Sequence, residues 1–174
     1  TGDRNVAIGM WSGDANTTGN YNTSIGGACN GLTTVGSNNC SLGYGAGPSG
    51  PGSNNQVTLG NASITSLRCN DTSISSLSDR RDKTDIIDLT TGLNFINTLQ
   101  PRQFKWQTRD GNIKDGKVRA GFIAQELQEA QVDSEFLDLV LDDNPDKLEA
   151  KQEHLIPVLV QAIKELSTKN TALE

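Results

Sequence analysis

The feature that most constrains this chain is a short block that recurs at a fixed interval. "GDRNVAIG" (2–9), "GNYNTSIG" (19–26) and "GSNNCSLG" (36–43) align without gaps at a period of 17 residues, and a fourth block, "GSNNQVTLG" (52–60), carries one extra residue. Each reads Gly, polar, polar, Asn, any, small, Ile or Leu, Gly. The residues between the blocks correspond too: Ser12, Cys29 and Ala46 are equivalent small residues, and Thr17 matches Thr34. Such a unit offers a strand of three to four residues with one inward aliphatic (Ile8, Ile25, Leu42, Leu59) and one inward small residue (Ala7 or its neighbours). Flanking glycines take corners that a Cβ resists, and Asn5, Asn22 and Asn39 can bond backbone groups at the turns. One unit cannot bury an apolar face alone, so units must stack. With about one large apolar residue per unit, a single chain supplies a thin core, and several chains around one axis would complete it. The expected architecture is therefore an intertwined homotrimeric β-solenoid or β-prism over residues 1–60. Residues 61–77, with the aliphatic pairs Ile64/Leu67 and Ile74/Leu77, read as the last narrow β-turns of that fibre.

Composition narrows the function. The 174 residues carry 15 Lys and Arg against 21 Asp and Glu, a net charge of −6. No basic block is present to neutralise phosphates, which argues against nucleic acid as the main partner. No run of 18 apolar residues and no signal peptide is present, so no membrane insertion is expected from this segment. A chain that opens on Thr1 reads as a fragment or a processed product. Cys29, Cys40 and Cys69 are odd in number and lack CxxC spacing, so small buried side chains in a reducing compartment are expected rather than a disulfide framework or a zinc site. With His154 as the single histidine, no metal or other cofactor is implied. The repeat pattern is similar to the head repeats of trimeric autotransporter adhesins and to the shaft repeats of phage tail fibres.

The composition changes at Ser78. Leu93, Phe95, Ile96 and Leu99 fall close to helical spacing, and Pro101 ends that helix. Phe104 and Trp106 alternate as in a strand, "RDGNIKDGK" (109–117) reads as a polar hairpin or loop with Asp-Gly turn signals, and "VRAGFIAQELQEA" (118–130) reads as a strand leading into a short helix. "DDNPDKLEAK" (142–151) is a loop followed by a return. In the terminal helix, Ile156, Leu159, Ile163, Leu166, Asn170 and Leu173 alternate at spacings of three and four. That is the a/d seam of a coiled coil, with Asn170 as a polar seam position able to fix register; the other reading is a helix packed on its own domain.

Together, Ser78-Asp79-Arg80-x-Asp82-Lys83, "LNFINTLQPRQFKW", "AGFIAQEL" and "LIPVLVQAIKEL" resemble the intramolecular chaperone auto-processing domain found at the C-terminus of phage tail fibres, tail spikes and endosialidases. The resemblance covers residues 78–174. It implies an α+β domain, ending in a trimeric coiled-coil helix, that assists folding and homotrimerisation of the preceding fibre. It also implies that the domain cuts itself off at Leu77–Ser78 as a serine endopeptidase, with Ser78 as nucleophile and Lys83 as base, in a virion component assembled in the host cytoplasm. Asp79 and Arg80 are assigned to holding the turn. His154 stands where relatives carry an aromatic residue, and reads as a helix-start residue.

The chemistry sets its own demands. A serine hydroxyl needs a base, and a lysine can be one only when desolvation or neighbouring cations favour its neutral form. Arg80 and Arg81 help in that respect, whereas Asp79, Asp82 and Asp85 oppose. Residues five apart on a continuous helix lie about 140° from one another. The dyad therefore needs a turn between Ser78 and Lys83, or a lysine from another protomer. Alternatively Ser78 caps a short helix. The partners expected are two further copies of the chain, with a host cell-surface receptor open to the fibre. The competing functions are a trimerisation domain that stays attached and an adhesin whose repeats contact glycan, for which Trp11, Tyr21 and Tyr44 are too few aromatics to form a sugar platform.

Overall fold

The computed structural model describes all residues except Thr1, Thr72, Asp110, Asn112 and Glu174. It divides into two compact units: Thr1–Thr65 with Phe104–Arg119 and Asp142–Leu148, and Ser66–Gln103 with Ala120–Leu141 and Glu149–Glu174.

In the first unit each repeat contributes one three-residue strand: β1 (Val6–Ile8), β2 (Thr23–Ile25), β3 (Cys40–Leu42) and β4 (Val57–Leu59). They form one parallel sheet in the order β1-β2-β3-β4, with each residue paired to the one 17 positions on. The pairing runs between successive repeats of the same chain. The expected intertwining is therefore not what closes the ladder, because the corners return the chain to its own sheet within 17 residues.

The recurring block positions explain the closeness of the stack. Gly26 sits at φ +138°, and a Cβ there would lie 2.5 Å from the Gly43 carbonyl oxygen; one on Gly19 would lie 2.1 Å from that of Gly36. The asparagines form a rung-by-rung amide ladder. The backbone N–H groups of Asn22, Asn39 and Gln56 donate to the side-chain oxygens of Asn5, Asn22 and Asn39 at 2.8, 3.0 and 3.0 Å. The Asn5, Asn22 and Asn39 amides in turn donate to Gly19, Gly36 and Ser53 carbonyls at 2.8–2.9 Å. Gln56 thus occupies the asparagine rung of the fourth repeat and Ser53 its glycine position. The period stays at 17 and the fourth block holds no extra residue.

The pleat is the reverse of the expected one. Ser24 and Ser41, in mid-strand, are only 2% and 1% exposed, and Cys29, Ala46, Asn30 and Thr33 are buried with them. Ile8, Ile25, Leu42 and Leu59 point outward and are exposed, as are Val6 and Val57. A 17-residue unit with asparagine-bonded corners leaves interior room for small side chains only. Among the cysteines, Cys29 is buried, Cys40 is half-buried on the outer face, and Cys69 is exposed. Beyond β4, the described residues of 61–77 form no strand, and Ile64, Leu67, Ile74 and Leu77 are exposed. This segment lacks both the corner glycines and the asparagine rung, so the narrow β-turns expected there do not form. At the fourth repeat, Asn144 donates to the Ser49 carbonyl at 2.6 Å and Gln56 to Asp143 at 2.8 Å.

β5 (Arg102–Lys105) pairs with β6 (Val118–Gly121). Trp106 lies just past β5, edge-on to Phe104 with ring centroids 5.3 Å apart. Of the two Asp-Gly turn signals, Asp110 lies outside the described residues, and Gly116 takes φ +71°.

The second unit holds α1 (Leu93–Ile96), α2 (Ala124–Ala130), the antiparallel pair β7 (Val140–Leu141) and β8 (Glu149–Ala150), and α3 (Leu155–Thr171). α1 is shorter than its apolar spacing suggests and ends five residues before Pro101. Its first amide, Leu93 N–H, donates to Glu165 of α3 at 3.0 Å. The core comprises Leu127, Leu137, Leu139, Val140, Leu155, Val158 and Ala162. His154 begins α3, as expected of a helix-start residue, and its Nδ1 lies 3.0 Å from the Leu137 carbonyl oxygen.

α3 has two distinct apolar faces. Leu155, Val158 and Ala162 are buried against the unit's own core. Ile156, Leu159, Ile163, Leu166 and Leu173, the seam positions, are all exposed, with Leu159 and Leu166 at 45% and 47%. Packing on its own domain therefore uses a different stripe from the heptad seam.

Candidate functional site

The segment that leads to Ser78 is irregular, and Leu77 is 97% exposed. A single 3₁₀ turn, Arg80–Asp82, follows Ser78. Its N-cap is Asp79, not Ser78: Asp79 Oδ1 accepts the Arg81 backbone N–H at 2.8 Å. This satisfies one of the donors that a helical turn leaves free at its start. The Asp82 N–H donates to the Asp79 carbonyl at 3.2 Å and the Lys83 N–H to that of Arg80 at 3.3 Å, and Lys83 itself returns to extended backbone.

That one turn supplies what a continuous helix could not. It folds the chain back so that Lys83 Nζ donates to Ser78 Oγ at 2.6 Å, within one chain. Across the same contact a neutral amine would accept the serine proton. Leu77, Ser78 and Lys83 are thus adjacent and exposed, with the Leu77–Ser78 peptide bond open to solvent.

Arg80, assigned to the turn on sequence, accepts the Lys83 N–H with its carbonyl oxygen but makes no side-chain hydrogen bond among the described residues. Arg81, read from sequence only as a cation near Lys83, is the arginine that holds the turn. Its Nε and Nη2 reach the two Asp79 carboxylate oxygens at 3.0 and 2.6 Å. These bonds hold the Asp79 carboxyl below the usual aspartate range, the side-chain contact outweighing the backbone one, and push the Arg81 guanidinium up. The legible signal was Asp followed two residues on by a residue whose N–H it can accept, the Asx-turn pattern.

Residues 78–140 match a peptidase family model described as Chaperone of endosialidase. That segment matches this family's domain, with Ser78 as its first matched residue. The match ends at Val140, so β8 and α3 lie beyond it. Comparison with the curated proteins and with the solved structures gives no match for the chain. Among the described residues, no helix is long and apolar enough to cross a membrane.

Proposed function

We propose that this chain is the C-terminal part of a viral tail fibre or spike. Residues 1–60 are stacked β coils of the fibre, 61–77 the linker at its tip, and 78–174 an intramolecular chaperone that trimerises the fibre and then releases itself at Leu77–Ser78. The observation that carries this reading is the 2.6 Å contact from Lys83 to Ser78, immediately after an exposed, irregular peptide bond.

In the reaction, Ser78 Oγ attacks the Leu77 carbonyl carbon while Lys83 Nζ takes the hydroxyl proton. The five-membered tetrahedral adduct loses its C–N bond, and the departing Ser78 nitrogen takes a proton from the lysine ammonium. An ester then links Leu77 to Ser78 Oγ. Water hydrolyses it, leaving a Leu77 carboxylate and a chain that begins at Ser78.

Two surfaces support trimerisation. The exposed seam of α3 has the a/d spacing that pairs helices of identical copies. The outward rows of the sheet, Val6, Thr23, Cys40 and Val57 beside Ile8, Ile25, Leu42 and Leu59, carry no charge and give each coil an apolar contact face.

The test is to express the wild-type chain, Ser78→Ala and Lys83→Met, and to run each on native and denaturing gels. Wild type should form trimers and cut; the two variants should form trimers and remain whole. A wild-type trimer that never cuts removes the protease. A soluble trimeric fibre made without residues 78–174 removes the chaperone.

A further inference from the structure

Three acidic residues flank the proposed dyad in sequence. Asp79 follows the serine directly, Asp82 precedes the lysine, and Asp85 lies two residues beyond it. The turn is exposed throughout, and the charged groups nearest Lys83 in sequence are these three aspartates with Arg80 and Arg81. Asp85 is engaged with the Thr84 hydroxyl at 3.0 Å. Asp79 is the anion closest in sequence to the nucleophile, and its carboxylate has a choice of cations. Both of its oxygens are taken by Arg81, through Nε and Nη2, in the bidentate fork that a guanidinium offers and an ammonium does not. Lys83 is left facing Ser78.

We propose that Arg81 is a positioning residue for self-cleavage: by occupying both Asp79 oxygens it keeps that carboxylate off the Lys83 ammonium and leaves Lys83 to the serine. The role acts through Asp79 and rests on the Ser78–Lys83 reading. Asp79 caps the turn with its Oδ1 and must be kept, but an unclamped anion there would capture the lysine and favour its charged form. Arg81 thus separates the capping function of Asp79 from its charge. Arg80, one residue earlier and without a side-chain bond to Asp79, has no such part.

Full-length chains are diluted out of denaturant across a pH series, and the first-order rate of cleavage is followed alongside trimer formation. In Arg81→Gln the pH at which the rate reaches half its maximum should rise by about one pH unit, making cleavage about tenfold slower on the acid side, with trimer yield unchanged. Arg80→Gln, which leaves the Asp79–Arg81 fork intact, should shift the midpoint by less than half that amount. Asp79→Asn/Arg81→Gln should return the midpoint to the wild-type value, because an asparagine still caps the turn but carries no charge. An unshifted midpoint in Arg81→Gln, or a shift that the double variant fails to reverse, overturns the role of Arg81. If wild type itself does not cut while trimers form, the dyad fails instead, and the two failures are told apart by that control.

Discussion

Replacing Asn22 by alanine should cost far more than its polar character suggests. Its side-chain oxygen accepts the Asn39 N–H at 3.0 Å and its amide donates to the Gly36 carbonyl at 2.8 Å, with Asn22, Gly36 and Asn39 all buried. Alanine leaves one donor and one acceptor without partners in the stack interior. At about 1–3 kcal/mol for each unsatisfied buried group, the expected loss is about 4 kcal/mol. Asn5 makes the same two bonds, at 2.8 Å each, but is exposed at the end of the ladder, where water can replace it. Asn5→Ala should therefore cost only about 1 kcal/mol. Both variants are compared by urea unfolding followed by circular dichroism, at one chain concentration and on the Ser78→Ala background so that cleavage does not intervene. The ladder account is refuted if the two alanine variants lose stability to within about 1 kcal/mol of each other, a difference the assay resolves.

Three further outcomes follow from the same geometry. Gly26→Ala, with a Cβ 2.5 Å from a backbone oxygen at φ +138°, should cost at least about 3 kcal/mol, whereas Gly116→Ala, at φ +71° in open space, should cost about 1 kcal/mol in the same unfolding assay. Leu166→Asp, on the exposed seam, should leave the helical content of the second unit intact but abolish trimers in light scattering; trimers that persist would remove the seam from the interface. Arg102 grips both Glu126 oxygens at 2.7–3.1 Å and holds that carboxyl below its ordinary value of 4.5, through the hydrogen bonds first. Because the folded value is the lower one, the pair's contribution is present above the unfolded value and is lost as pH falls through the folded one. Arg102→Ala should return the Glu126 titration towards the ordinary value by carboxyl NMR, with the stability difference from wild type vanishing in acid.

Much of this was legible in the residues. The 17-residue period fixed which residues pair, since a parallel in-register ladder is the arrangement that gives every block the same environment. The glycines and asparagines announced corners and rungs, and the alternation in 118–130 gave β6 and α2. What sequence did not settle was the direction of the pleat. Ile25 and Ser24 are neighbours, and which of them faces inward depends on the width left by the asparagine-bonded corners, a tertiary quantity. The apparent insertion in the fourth block arose from reading Gly52 as the equivalent of Gly36, where the amide ladder places Ser53. At the site, the spacing from Ser78 to Lys83 called for a turn, and the turn is there. The clamp by Arg81 rather than Arg80 was hidden because both are exposed arginines in one motif. Only the bidentate geometry on Asp79 distinguishes them.

The measurement that bears most directly on the account is the intact mass of the purified, trimer-forming wild-type protein, with N-terminal sequencing of any fragment. The account predicts two species whose masses sum to the full chain plus one water, the smaller N-terminal piece ending at Leu77 and the other beginning at Ser78, and a single uncut species for Ser78→Ala. A single full-length mass for assembled wild type, or a cut at any other bond, contradicts it.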